Sequence, residues 1–154
     1  MPKKATTVAT VGYEGTTMPA FLRALRDGGV ELLVDVRAVA SSRRAGFSKT
    51  ALAANLNEAG IEYLHLRGLG TPADGRAAAR SGKHAEMHRI FGEHLATWDA
   101  QEDLHRLEEV VRAGRHVALL CFEADPAHCH RTLVARALAE RVPVTVTDLR
   151  PEAT

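Results

Sequence analysis

Apolar positions along this chain fall in short blocks that alternate between two periods. Residues 7–11 (TVATV) form a β-branched run ending at Gly12-Tyr13-Glu14-Gly15, which reads as a strand and a turn. Thr16-Thr17-Met18-Pro19 supplies a capping hydroxyl and an early proline, and Phe21, Leu22, Leu25 and Val30 carry helical spacing until Asp27-Gly28-Gly29 stops it. Residues 30–36 (VELLVDV) are apolar except for Glu31 and Asp35, as expected of a parallel strand covered on both faces. Ser48 is placed to cap a helix bearing Leu52 and Leu56, Gly60 ends it, and residues 61–66 (IEYLHL) alternate into a third strand.

Between residues 67 and 83 the chain turns to Gly, Pro, Ala and Arg without an apolar period, which predicts a mobile surface loop and a candidate lid. Residues 84–98 and 101–113 read as helices, the second with Leu104, Leu107, Val110 and Val111 on one face before Gly114. Residues 117–122 (VALLCF) are the most apolar segment and the best candidate for a central strand. Asp125-Pro126 opens a helix with Leu133, Val134, Ala137 and Leu138 inward, and residues 142–149 (VPVTVTDL) form a last strand. Five strands alternating with helices predict an α/β three-layer sandwich around a mostly parallel sheet, with Rossmann-like strand order 3-2-1-4-5, as a single domain over residues 1–154.

Composition narrows the function classes. With 154 residues, 45% of them hydrophobic, the chain can hold a full core without metal or disulfide staples, which excludes disorder and small disulfide scaffolds. Lys and Arg total 20 against 19 Asp and Glu, for a net charge of +1, so net charge does not drive polyanion binding and a partner must be sought in a site. No apolar run approaches the roughly 18 residues of a membrane span, and residues 1–10 lack the apolar stretch of a secretory signal. The expectation is a cytoplasmic protein without a membrane partner. The two cysteines, Cys121 and Cys129, are then read as reduced thiols. Of the basic residues 16 are Arg and 4 are Lys. GC-rich codon usage explains that bias, since Ala is also abundant, and so do guanidinium forks for phosphate or carboxylate; only position separates the two.

In open α/β sheets ligands sit beyond the carboxyl ends of the strands, and here those ends carry the reactive side chains. Gly12-x-x-Gly15 before a helix is a weak phosphate-cradle signal, because neither the dinucleotide nor the P-loop pattern is complete. Arg37, Arg43, Arg44 and Lys49 place positive charge beside Asp35, with Arg131 able to join across the sheet. If Asp125 is the N-cap and Pro126 the first helical residue, Cys129 lies in the first turn, where unpaired N–H groups favour a thiolate. The competing reading makes Cys129 a small buried residue and His130 a satisfied helix-end histidine. Cys121 reads as structural inside its apolar run. Metal binding is not expected: His84 and His88 have i, i+4 spacing on a helix, and His128, Cys129 and His130 are clustered, but consecutive residues on one helix diverge by about 100° and cannot all ligate one ion; no cofactor is implied. Nucleic-acid binding has the arginines in its favour, but aromatics make up only 5% and no stacking platform emerges.

The combination TVGYEG (10–15), LVDVR (33–37), SRRAGFSK (42–49), GIEYLHLRGLGTP (60–72) and ALLCFEADPAHCHR (118–131) resembles the family catalogued as domain of unknown function 488, through its CFE-x-DP-x-x-CHR signature above all. The family has no agreed activity. The resemblance implies Tyr13, Glu14, Asp35, Arg37, Arg43, Phe47, Lys49, Cys121, Glu123, Asp125, Cys129, His130 and Arg131 as motif positions. This chain departs from the family at Ala38-Val39-Ala40, where a proline usually follows the arginine.

Three functions are consistent with these residues. The first is an enzyme acting on a phosphorylated or nucleotide-like anionic substrate. Cys129, His130, Asp35 and Glu14 would be its catalytic groups, and Tyr13, Gly15, Arg37, Arg43, Lys49, Glu123, Asp125 and Arg131 would bind substrate. Cys129 and Arg136 are seven positions apart, which does not match the Cys-x5-Arg loop of tyrosine phosphatases. The second is a non-catalytic module that binds nucleotide or nucleic acid through the same basic rim. The third is a thiol-redox or sulfur-transfer protein using Cys121 and Cys129, which requires their sulfurs to be close.

Overall fold

A computed structural model describes residues 6–151; residues 1–5 and 152–154, the ends of the expected domain and of the segment inspected for a signal, lie outside the described residues. Five strands alternate with helices: β1 (Thr6–Gly12), α1 (Met18–Asp27), β2 (Leu32–Asp35), α2 (Lys49–Glu58), β3 (Glu62–His65), α3 (Ala73–Arg80), α4 (His84–Leu95), α5 (Trp98–Arg112), β4 (Val117–Cys121), α6 (Arg131–Ala139) and β5 (Val144–Leu149), with 3-10 turns at Arg67–Leu69 and Pro126–His128. Local chemistry accounts for several boundaries. Thr17 caps α1 by accepting from the Ala20 N–H, with Pro19 in the first turn. Thr97 caps α5 through the Ala100 N–H, so Trp98 opens α5 rather than closing α4, and it stands 76% exposed.

All strand pairs are parallel and the α/β class is as expected, but the order is 3-2-4-1-5 rather than 3-2-1-4-5. The reason lies in β4. Each of its residues is buried, and a strand apolar on both faces gains most from the middle of the sheet, where helices cover both sides. It inserts between β1 and β2, with Ala118 opposite Ala9 on one flank and Leu33 on the other. β5 is left at the edge, with four of its six residues exposed.

Alternation along the strands divides the core in two. Val117 and Leu119 join Leu32, Val34, Met87, Phe91, Leu104, Leu107, Val134 and Leu138 beneath α3–α6, while Ala118 and Leu120 join Val11, Phe21, Leu25, Leu33, Phe47, Leu52 and Leu56 beneath α1 and α2.

Residues 67–83 are not a structureless lid. They form a 3-10 turn and helix α3, which packs on α4 through Gly75 and Ile90. Ala-rich sequence supplies the helix propensity, and the 3-10 turn before it is anchored at Gly68: its N–H donates to Asp103 Oδ2 at 2.7 Å, and His94 Nε2 donates to its carbonyl at 2.8 Å. A Cβ on Gly70 would lie 2.2 Å from the Ala38 nitrogen, so only glycine lets this segment lie against the loop after β2.

Leu119→Ala, at a fully buried site in the central strand, is expected to lose about 2–5 kcal/mol, and Val146→Ala on the 41% exposed edge position no more than about 0.5 kcal/mol. Urea denaturation of the two variants checks this; equal losses would contradict the assignment of centre and edge.

Candidate functional site

Strand order decides which turns meet. Because β4 lies between β1 and β2, and Gly12 pairs with Cys121 while Asp35 pairs with Leu120, the three strands end level and their following turns converge. A pocket of about 320 Å³ opens there. The β1 turn contributes Tyr13, the β2 loop Arg37, Ala38, Val39 and Ser41, the last residue of β4 Cys121, and the segment after it Phe122, Glu123, His128 and His130; α3, with Thr71 just before it, adds Arg76, Ala79 and Arg80, and Met87 comes from α4.

One side of the pocket rests on a buried ion pair. Asp35 is fully buried and Arg37 nearly so. Arg37 donates from Nε to Asp35 Oδ1 at 2.9 Å and from Nη2 to Oδ2 at 2.7 Å, while its Nη1 reaches Tyr13 Oη at 3.2 Å and the Phe47 carbonyl at 2.8 Å. Four of its five N–H groups are thus engaged. The Tyr63 hydroxyl donates to Asp35 Oδ2 at 2.6 Å. Burial works against the Arg37 charge, but the Asp35 hydrogen bonds and charge more than offset it and hold the guanidinium firmly protonated. Burial first, and then the bond to Asp35, push the Tyr63 phenol well above its usual range. Tyr13 also stacks on Phe47 with centroids 4.6 Å apart.

Expected and observed geometry differ most in the segment after β4. Asp125 does accept from the Ala127 N–H at 2.9 Å, but it caps only the 3-10 turn. Cys129 then returns to extended backbone at φ −121° and ψ 142°, and α6 begins at Arg131 with His130 as its N-cap. Cys129 therefore does not occupy a helix first turn, and the anticipated stabilisation of a thiolate there is absent. It is 1% exposed, and burial, reinforced by the neighbouring Cys121, pushes its thiol well above the ordinary value. His130 donates from Nε2 to the Val36 carbonyl at 2.7 Å. That bond orients the ring and turns Nδ1 toward two sulfurs, Cys121 Sγ at 3.3 Å and Cys129 Sγ at 3.9 Å.

Other expected site residues are dispersed. Arg131 is fully buried, and its Nη1 and Nη2 donate to the carbonyls of Glu123 and Ala124, so it braces the loop. Glu14 accepts from the Ala124 N–H at 3.0 Å, and its own N–H donates to the Phe122 carbonyl at 2.9 Å. Gly15 has φ +74° and belongs to the turn, and the Thr16 N–H donates back to the Tyr13 carbonyl. The glycine at the close approach is Gly12: a Cβ there would sit 1.8 Å from the Glu123 carbonyl oxygen. Arg43 and Lys49 are exposed and do not line the pocket, and Arg44 donates to the Thr16 carbonyl.

Glu123, in contrast, faces into the pocket with a buried Oε2 that has no hydrogen-bond partner. Burial, then the Glu14 charge, raise its pKa above the usual carboxylate value, against the pull of His130, Arg131 and His128. Arg76 and Arg80 were missed in the sequence because their segment reads as a loop. The available signal was their i, i+4 spacing on an Ala-rich stretch, which puts them on one helix face. Arg76 donates to the Thr71 carbonyl at 2.9 Å; Arg80 is exposed.

The family model described as Domain of unknown function DUF488 matches residues 17–138. No curated protein and no solved structure matches the chain.

Asp35→Asn leaves the buried Arg37 charge unpaired and is expected to destabilise the fold by about 3–5 kcal/mol, whereas Tyr63→Phe removes one hydrogen bond to a charged group, about 1.5–3 kcal/mol. Thermal and denaturant unfolding measure both. An Asp35→Asn loss below that of Tyr63→Phe would contradict the central place given to the ion pair.

Proposed function

The chain belongs to the DUF488 family, whose description assigns no activity, and from that premise we propose that it is an enzyme acting on a small phosphorylated or nucleotide-like anion held in the pocket beyond β1, β2 and β4. One observation carries the reading: a concave site of about 320 Å³ is lined by Arg76 and Arg80 of α3 and by Glu123, whose buried Oε2 has no partner. Small-molecule sites run from about 300 to 1,000 Å³ and combine apolar walls with a few polar groups. Here Ala38, Val39, Ala79, Met87 and Phe122 form the apolar part.

Arg76 and Arg80 are the anion clamp in this reading, a role the sequence had suggested for Arg37 and Arg131. Arg37 is largely saturated by Asp35, Tyr13 and Phe47, and Arg131 is fully buried outside the pocket lining, with both Nη atoms turned to backbone carbonyls and its Nε without a partner. Arg76 keeps guanidinium donors beyond its bond to Thr71, and two cations four residues apart fit the spread of phosphate oxygens. Glu123 Oε2 then meets a hydroxyl or amine of the same ligand at the strand end, and Tyr13 and Phe122 offer ring surface beside it, 5.3 Å apart in an edge-on arrangement.

Calorimetric titration with AMP and with ribose 5-phosphate tests the reading. Charge reversal at both arginines, Arg76→Glu with Arg80→Glu, is expected to weaken binding at least tenfold, the equivalent of about 1.4 kcal/mol, with the fold intact by circular dichroism. Glu123→Gln is expected to keep phosphate binding while losing turnover of any ligand found to react. Unchanged affinity in the double reversal overturns the anion site. Full turnover in Glu123→Gln overturns the role of the carboxyl.

A further inference from the structure

Among the described residues, one cluster of soft donors has no part in the anion reading. Cys121 Sγ, Cys129 Sγ and His130 Nδ1 lie within 4.8 Å of one another, and all three residues are buried. We propose that they form a Cys2His site for zinc, with the fourth coordination position opening into the pocket.

Coordination geometry is the first support. Zinc bonds of about 2.3 Å to sulfur and 2.0–2.1 Å to nitrogen at tetrahedral angles separate a sulfur from a nitrogen by about 3.5–3.6 Å. The two sulfurs stand 3.3 Å and 3.9 Å from His130 Nδ1, on either side of that value. The second support is the histidine's own anchoring. A metal-binding imidazole characteristically donates its other ring N–H to a carbonyl or carboxylate, which orients the ring and fixes the tautomer. His130 does so with the Val36 carbonyl at 2.7 Å.

The backbone explains how adjacent residues aim at one point. The sequence argued against a metal because neighbours on a helix diverge, but Cys129 is extended and His130 is helical at φ −65° and ψ −17°. That change of conformation between them lets both side chains face the end of β4, where Cys121 is the last strand residue. Charge favours the same conclusion. Two thiolates and one divalent cation sum to zero, so the loaded site places no net charge in the interior; each thiol gives up its proton to solvent as the metal binds. Cys121 and His130 line the pocket and Cys129 does not, so the open position faces the cavity. Thiolate with imidazole selects zinc over magnesium or calcium. Three protein ligands with one open position is the arrangement of catalytic rather than structural zinc.

This site stands apart from the anion reading, and its test uses the metal alone. The reduced full chain is titrated with cobalt(II), followed by zinc(II) competition. The expected result is one equivalent of cobalt giving thiolate-to-metal charge-transfer absorption and tetrahedral visible bands, which zinc displaces. Cys121→Ser and Cys129→Ser are each expected to weaken zinc binding by at least the about 100-fold that losing an outer-shell partner can bring. A serine variant that fails to fold would also lose metal, so the wild-type cobalt spectrum decides independently: binding without thiolate charge transfer, or no binding, overturns the proposal. Retention in Cys129→Ser with loss in His84→Ala or His88→Ala overturns it as well, by moving the metal to the α4 histidines. Because phosphate affinity is measured separately, either reading can fail while the other stands.

Discussion

The Asp35–Arg37 ion pair is the constraint on which the rest of this structure depends. A carboxylate and a guanidinium taken out of water are stable only if their hydrogen-bonding capacity is met, since desolvation otherwise exceeds the Coulomb gain. Here the demand recruits four pieces of chain: β2 itself, Tyr13 from the turn after β1, the Phe47 carbonyl from the long β2–α2 loop, and Tyr63 from β3. Satisfying one buried pair thus sets where the β1 turn, the β2 loop and the edge strand lie. The same pair explains why an arginine at a strand end forms pocket wall rather than ligand clamp.

On this frame, close backbone approaches bring the remaining walls together. Gly12 lets the loop after β4 pass over the end of β1, and Arg131 closes that loop from beneath through the Glu123 and Ala124 carbonyls. Gly70 lets the segment before α3 rest on Ala38. Both contacts bring backbone where any side chain would clash, and together they make a concave site out of turns far apart in sequence.

Two kinds of chemistry meet in that concavity. Hard cationic charge comes from Arg76 and Arg80 on α3, and soft sulfur and imidazole donors come from the junction of β4 and α6. Glu123 stands between the two cysteines along the chain, two residues after Cys121, on the loop that Arg131 braces. A site that pairs anion recognition with a metal position is physically coherent, because each fixes a different part of a bound molecule.

The sequence by itself determined the alternation of strands and helices, the α/β class, the central place of residues 117–122, and the concentration of reactive groups at strand ends; these follow from local periodicity, caps and apolar runs, which neighbouring residues specify. It did not determine the strand order: the apolar run marks residues 117–122 as an inner strand, but an inner strand can lie on either side of β1, and only packing placed β4 between β1 and β2. Nor did it reveal that residues 73–80 are helical, since their burial depends on small residues packing on α4 rather than on an apolar stripe. Cys129 shows the limit most clearly. Asp125-Pro126 is a genuine start signal, but it starts a single 3-10 turn, and only the packed structure turns the next residue back to extended form and directs its sulfur, with that of Cys121, onto one imidazole nitrogen.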